Sequence, residues 1–420
     1  MPRHSQRKSS LFVIFTTVLV DLIGFGMVIP LIALYGRHYG AGSLELPILG
    51  GIYSMMQFLF APFWGSLSDR VGRRPILLLS LAGSTISYVI FGLAPNYWWL
   101  LIARAFGGIF AANISTAQAY IADITPPERR AQGMGLIGAA FGIGFTLGPP
   151  LGGLASAKLG LAAPGLIAAA ICGLNFLVAV FRLPESFPKE MRVKALQISR
   201  GNRVSRISEI FRSFSRPVLG YLLVTFFFVT FAFSTMEQTF SILLQNKFDF
   251  ETGDAGYKTG LVLMSSGLLG AFIQGGLIRK LVPRFGEQNL LIAGLLFNSL
   301  TMLVFPYCPT YFLYFLLSLP MALGFSLVNP SLSSLISKSV GAQEQGSTLG
   351  LSQGLGSLAR ATGPFCGLLT FAIAPELPYW IACAISVALT AFHFRMKFTA
   401  GATDREAGTN DTHGSAITQA

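Results

Sequence analysis

Charge is scarce in this chain. Only 11% of its 420 residues are Asp, Glu, Lys or Arg, while 52% are hydrophobic and the mean hydropathy is +0.61. A soluble domain carries about a quarter charged residues, so the balance excludes a water-soluble fold and describes a polytopic membrane protein. Cysteine is also rare. Cys172, Cys308, Cys366 and Cys383 all fall in apolar stretches without metal-ligand spacing and read as buried small hydrophobes. The four histidines are isolated: His4, His38 and His413 lie in tails or a loop, and His393 near the end of the last apolar run. That pattern holds no metal centre and no nucleophilic triad. No stretch reads GxxxxGK[ST], so ATP is not expected to drive the protein directly. No cofactor is implied and an enzyme is not expected. Nor is there a cleavable leader: the first apolar run begins near Leu11, is too long for one and contains Asp21.

What the chain has instead is apolar length. A helix needs about 20 residues to cross the hydrocarbon core, and twelve such segments follow one another, from roughly 11–35 to 376–396. The formal net charge of +12 would suggest nucleic acid in a soluble protein. Here the basic residues gather in alternate connections. With the N-terminus cytoplasmic, twenty-four of the thirty Lys and Arg fall on the cytoplasmic side; Arg37, Lys158, Lys247 and Lys258 fall outside, and Arg104 and Arg360 within helices. By the positive-inside rule both termini face the cytoplasm.

The chain is two copies of one plan. Gly133, Gly135, Gly148-Pro149 and Gly152 recur as Gly346, Gly350, Gly363-Pro364 and Gly367, an offset of 215 from Gly148 to Gly363. The polar hairpin ending at Gly72 recurs in degraded form ending at Gly286, an offset of 214. The expected fold is therefore all-α, twelve transmembrane helices in two six-helix pseudo-repeats. Its divisions are a cytoplasmic N-terminus (1–10), a first bundle (11–183), a basic linker (184–217), a second bundle (218–397) and a disordered tail (398–420). Within the linker, Ile207, Ile210, Phe211 and Phe214 share one helical face among arginines, which predicts a short helix on the inner leaflet. Paired repeats joined this way suit a transporter whose substrate site lies between them. A single chain holding both halves is expected to work as a monomer, with the lipid bilayer, a small-molecule substrate and protons as partners and no nucleic acid.

The most concentrated motif is the hairpin Gly65-Ser66-Leu67-Ser68-Asp69-Arg70-Val71-Gly72-Arg73-Arg74. Its glycines permit close packing or positive φ, and its arginines hold it on the cytoplasmic face. It matches the GxxxDRxGRR signature of the major facilitator superfamily, and the chain over about 10–397 resembles the twelve-helix drug:proton antiporters, in particular the tetracycline-resistance pumps. Asp21 to Pro30 is similar to their first helix. Arg104-Ala105-Phe106-Gly107-Gly108 resembles their RxxQG signature with Gly107 in place of glutamine. Gly144 to Gly153, including Gly148, Pro149 and Gly152, fits GxxxGPxxGG in full. The resemblance implies a cytoplasmic gate of Gly65, Asp69, Arg70, Gly72, Arg73 and Arg74 joined by Asp123, Glu128 and Arg130. The chain departs from those pumps at Ser87 and Asn298, where they carry aspartates, and at Ala33, where a second proline is expected.

Four ionisable residues sit within helices: Asp21, Arg104, Glu237 and Arg360. A charge in hydrocarbon must face a partner or a watery cavity. Asp21 plus the repeat offset falls next to Glu237, so the two acids are candidates for proton coupling; the bland alternative is that each is permanently paired, for example Asp21 with Arg104. Arg104 and Arg360 are candidates to meet a polar or anionic substrate group, or to bridge helices. Gln57, Asn113, Gln238, Gln274 and Asn298 are further cavity candidates, with Gln118, Asn329, Gln353, Tyr53, Tyr88 and Phe145 behind them; each can equally be helix–helix glue. The reading is a secondary active transporter, by expectation a proton-coupled exporter of amphipathic drug-like molecules in a bacterial cytoplasmic membrane. An organic-anion or metabolite carrier is the alternative, and a non-transporting receptor or accessory protein the third.

Overall fold

Apolar runs this long leave the backbone no hydrogen-bond partner but itself, so they fold as helices. In the computed structural model, residues 2–111, 113–125, 130–186, 214–340 and 345–414 are described. They form twelve helical passes. The first half holds α1 (Pro2–Val28, prolonged through a 3₁₀ turn at Ile29–Leu31 and Ile32–His38), α2 (Glu45–Val71), α3 (Arg73–Gly92), α4 (Tyr97–Phe110 and Asn113–Ile124), α5 (Arg130–Leu159) and α6 (Ala163–Arg182). The second holds α7 (Pro217–Phe248), α8 (Thr252–Phe272, a π-helical turn Ile273–Leu277, and Ile278–Phe285), α9 (Glu287–Val304, then a 3₁₀ turn Phe305–Tyr307), α10 (Tyr311–Lys338), α11 (Gln345–Ile373) and α12 (Leu377–Gly414). Helix α12 thus continues past Lys397 into the tail expected to be disordered. Most of the linker, including the amphipathic pattern from Ile207 to Phe211, lies outside the described residues.

Seven passes (α1, α3, α6, α7, α9, α10 and α12) each contain a helix apolar and long enough to cross a bilayer, and α2 adds an eighth, bent by 45° around Pro62. The remaining passes are interrupted or rich in glycine, and three of those four (α5, α8 and α11) pack against another helix through backbone. Helix α4 shows how an interruption is tolerated. It breaks at Ala111 without a proline. The freed carbonyls are met by neighbours: Trp64 Nε1 donates to Ile109 O at 2.5 Å, Ser80 Oγ to Phe110 O, and Gln57 Nε2 to Ala111 O at 3.2 Å. Gln57, a cavity candidate from the sequence, is engaged in this repair.

The glycine repeats act as seams. A methyl group on Gly148 would come 2.7 Å from Gly26 Cα, and one on Gly152 would overlap the Met27 carbonyl, so α5 lies backbone-to-backbone on α1. In the second half Gly363 sits against Ser234 and Phe231, and Gly367 against the Thr235 carbonyl, which lays α11 on α7 in the same way. Gly72 and Gly286 both adopt positive φ (118° and 76°), so the degraded hairpin keeps the turn of the intact one.

The halves meet at the end away from the 65–74 hairpin. There Gly260 lies against Pro149 and Pro150, Gly153 against Gly256, and Gly51 against the Ala361 carbonyl. Arg37 donates to Asn246 at 2.5 Å and lies 5.9 Å from the Phe371 ring. The apolar core follows suit. Ala255 of the second half joins a cluster built on Leu31, Tyr35 and Tyr97, and Ala33 of the first joins one built on Phe240 and Phe305. Toward the hairpin end the clusters around Tyr120 and around Leu223 each belong to one half alone. The bundle is closed at one end and divided at the other.

Gly152→Val is expected to leave no room for α1 and to abolish recovery of folded protein or lower its Tm sharply, since overpacking costs about 1–3 kcal/mol even where neighbours can shift. Gly142→Ala, which meets nothing within 4 Å, is expected to leave Tm unchanged.

Candidate functional site

Side chains from both halves converge about midway along the passes. Asp21 on α1 is 6% exposed, and its Oδ1 accepts a long contact from Cys172 Sγ of α6 at 3.6 Å. One turn further, Phe25 packs against Tyr53 of α2 (ring centroids 5.1 Å apart) and Phe145 of α5 (6.0 Å). Arg104 on α4 is 5% exposed and stacks its guanidinium over Tyr53, 4.3 Å from the ring centroid, with Phe25 at 5.9 Å. Asp21 and Arg104 are both within electrostatic reach of Tyr53 and Tyr88.

In the second half Glu237 on α7 is partly exposed although residues 234–236 and 238–244 around it are buried. Its side chain therefore opens into internal space. Arg360 on α11, also partly exposed, donates to Ser357 Oγ at 3.2 Å and lies within electrostatic reach of Glu237 and of Tyr53 across the divide. Tyr53 is thus the one ring that feels a guanidinium from each half among the described residues.

Other sequence candidates go elsewhere. Gln238, next to Glu237 on α7, is buried with its Oε1 unpartnered. Asn298 is 2% exposed and its Oδ1 presses on Gly324 of α10. Gln274 is exposed on the π-helical turn, and Asn329 is exposed on α10. Asn113 stands at the start of the second piece of α4, and its side chain, like that of Gln353, is outside what is described. Two departures from the pump pattern touch each other: Ser87 Oγ donates to Ala103 O at 2.8 Å and occupies the space that any side chain at Gly107 would need. Cys172 and Phe25 are site neighbours that sequence reasoning passed over; their spacing from Asp21 and its helical face was the available signal for Phe25, and Cys172 had none.

The hairpin forms a second cluster. Arg73 pairs with Asp69 (2.6 Å) and Asp123 Oδ2 (3.2 Å), donates to Ser68 Oγ (2.6 Å), and offers its backbone N–H to Glu185 at 2.9 Å. Arg74 reaches the Val180 carbonyl at 2.6 Å, and Ser186 Oγ donates to Asp123 at 3.2 Å. Arg70 is exposed, and a methyl group added at Gly65 would meet nothing within 4 Å. Glu185, absent from the sequence expectation, is a member; Glu128 lies outside the described residues, as does the Arg130 side chain. Among the described residues, these partners are all in the first half. The second half keeps a counterpart in Glu287, which takes Lys338 and, at 3.1 Å, Ser334.

A helical bundle of two like halves, charged at mid-depth, closed at one end and divided at the other, has the architecture of a membrane transporter. A comparison with family models makes this specific: residues 14–364 match the Major Facilitator Superfamily, and the chain belongs to that family. It is 33% identical over 384 residues to the tetracycline resistance protein, class C, of Escherichia coli, covering 91% of this chain and 94% of that one. It is 30% identical to major facilitator superfamily domain-containing protein 10 of Homo sapiens, with 91% and 90% covered. The crystal structure of the human organic anion transporter MFSD10 (TETRAN) superposes with a TM-score of 0.68 at 27% identity, covering 92% of this chain and 99% of that one. Family membership places the protein among integral multi-pass transporters of small molecules and not among enzymes.

Burial pushes the Asp123 carboxyl above the usual carboxylate range, and the Arg73 guanidinium pulls it part of the way back. Arg73→Ala removes that pull from a side chain only 20% exposed. The variant is expected to melt several degrees below wild type at pH 7.5. The deficit shrinks at pH 5, because a carboxyl whose folded pKa is raised stabilises the folded state as pH falls through it. Tm measured for both proteins at the two pH values checks this.

Proposed function

We propose that the protein exports small amphipathic organic molecules in exchange for protons, across a bacterial cytoplasmic membrane with both termini inside, and works as a monomer. The observation that carries the reading is Glu237, an acid at mid-helix that opens into the divided side of the bundle while its neighbours are buried, with Arg360 in reach. With the basic hairpin cytoplasmic, the state described is inward-facing, so Glu237 exchanges its proton with the cell interior. Rocking of the halves would close the hairpin side and expose the same acid to the other face. Asp21, at the matching place in the first half, is the second coupling candidate. The aromatic wall of Phe25, Tyr53 and Phe145 suits an amphipathic molecule. The likeness to tetracycline resistance proteins supports export and drug-like cargo.

A second reading, an organic-anion carrier, is favoured by Arg360. It stands where the first repeat has Phe145, and Ser87 and Asn298 replace acids of the pumps. The likeness to a human organic anion transporter leans the same way.

Counterflow in proteoliposomes, run with drug and organic-anion panels with and without an imposed pH gradient, separates the two. Gradient-driven drug movement is expected in wild type and is expected to fall by at least about tenfold in Glu237→Gln, the scale of a typical coupling free energy. If Glu237→Gln and Asp21→Asn both keep a full response to the gradient, the coupling assignment fails. Anion movement indifferent to pH would favour the second reading.

A further inference from the structure

The first half buries a positive charge that no carboxylate pairs with among the described residues. Arg104 is 5% exposed, its Nε has no hydrogen-bond partner, and among the described residues no carboxylate forms an ion pair with it. The acid of the same half, Asp21, has Cys172 on its Oδ1. Glu237 has Arg360 in reach. Burying an unpaired charge costs more than a ring face returns, so the arrangement suits an anionic ligand.

The geometry open to such a ligand follows from what already covers the guanidinium. Arg104 Cζ lies over the Tyr53 ring, 4.3 Å from its centroid, and over that of Phe25 at 5.9 Å. Tyr53 is held there because α2 rests on glycines of α4: a side chain at Gly107 would meet the Tyr53 ring at 3.4 Å and one at Gly108 would overlap the Tyr53 carbonyl. The face of Arg104 is taken, and its edge, where the N–H donors point, is the part a planar anionic group can engage with two parallel hydrogen bonds. Phe145, 6.0 Å from Phe25, extends the aromatic wall toward the interface between the halves.

We propose that Arg104, backed by Tyr53 and Phe25, is a subsite for the acidic group of a planar aromatic acid, whose ring lies against the Phe25–Phe145 wall. This rests on the transporter reading and names the chemistry of its cargo. It divides the labour of the two halves: the first holds the substrate's charge, the second carries the coupling acid. Arg104 meets the substrate directly, and Tyr53 is a positioning residue that fixes the guanidinium plane.

The test is equilibrium binding to the purified full-length protein, with 2-naphthoate, its neutral amide 2-naphthamide, the non-aromatic acid cyclohexanecarboxylate and the cation 2-naphthylmethylammonium as probes. Wild type is expected to bind naphthoate roughly tenfold or more tightly than naphthamide, as one charge-assisted hydrogen bond implies. Arg104→Gln is expected to reduce that ratio to within about twofold, and Arg104→Lys, which keeps the charge but loses the fork, to an intermediate value. Tyr53→Leu, which removes the support of the guanidinium, is expected to weaken naphthoate and cyclohexanecarboxylate alike while changing naphthamide little. Equal binding of acid and amide by wild type, a preference for the cation, no binding of naphthoate, or an unchanged ratio in folded Arg104→Gln overturns the proposal. Where Arg104→Gln fails to fold, an unchanged ratio in Arg104→Lys overturns it. Counterflow in the same preparation keeps the two readings apart. A wild type that shows the acid preference but no gradient-driven transport defeats proton coupling and leaves the subsite standing. Coupled transport of neutral probes with no acid preference defeats the subsite alone.

Discussion

The cost of holding charge away from water orders this structure. A charge at mid-bilayer must be paired, hydrated or removed, and the chain uses each solution at a different depth. At the hairpin end, where water is near, Arg73 gathers two carboxylates and a serine hydroxyl into one knot. At mid-depth Asp21 and Arg104 are buried within the first half, while Glu237 and Arg360 of the second are partly exposed and within electrostatic reach of each other. Among the described residues the closed end carries its inter-half polar contact at Arg37 and Asn246, backed by the Phe371 ring.

Closure at one end and division at the other depend on how closely backbones approach. Seams built on Gly153, Gly256 and Gly260 bring α5 and α8 together with no side chains between them, and Gly51 does the same for α2 against α11. Such contacts form without cavities and without deep interdigitation, which suits surfaces that must part. The seams inside each half, Gly148 and Gly152 on α1 and Gly363 and Gly367 on α7, are of the same kind. They join helices of one half to each other and not one half to the other.

Much of this was legible in the sequence, and the reasons are physical. Twelve apolar runs, the glycine spacing of two helices and the bias of basic residues each reflect a constraint that acts locally, so each leaves a local mark. The family resemblance read from Gly65–Arg74 and Gly144–Gly153 agrees with the match over residues 14–364. What stayed hidden depends on partners distant in sequence. Nothing near Ala111 announces a break in α4, because the residues that make it tolerable, Trp64, Ser80 and Gln57, belong to α2 and α3. Gln57 and Gln238 look alike as polar residues in apolar helices, yet one caps a carbonyl and the other is buried beside Glu237. Facing direction, which a residue list does not contain, separates them. Gly107 and Ser87 read as two separate departures from the pump pattern; in space they are one, since the serine fills the room a side chain at 107 would take.

The repeat shows where the halves have diverged. At an offset of 215, Phe145 on α5 corresponds to Arg360 on α11, and Asp21 falls one residue from the counterpart of Glu237. In the first half the position holds an aromatic ring that packs on Phe25, and the arginine comes from α4 instead. In the second half the arginine comes from α11 and faces Glu237. Both halves therefore hold one acid and one base. In the second the two lie within each other's electrostatic reach; in the first a cysteine meets the acid, a tyrosine ring meets the base, and both act on Tyr53. Two identical halves would bind two identical charges. Halves that differ in this way can treat two charges differently at a single interface, and Tyr53 lies within electrostatic reach of both arginines.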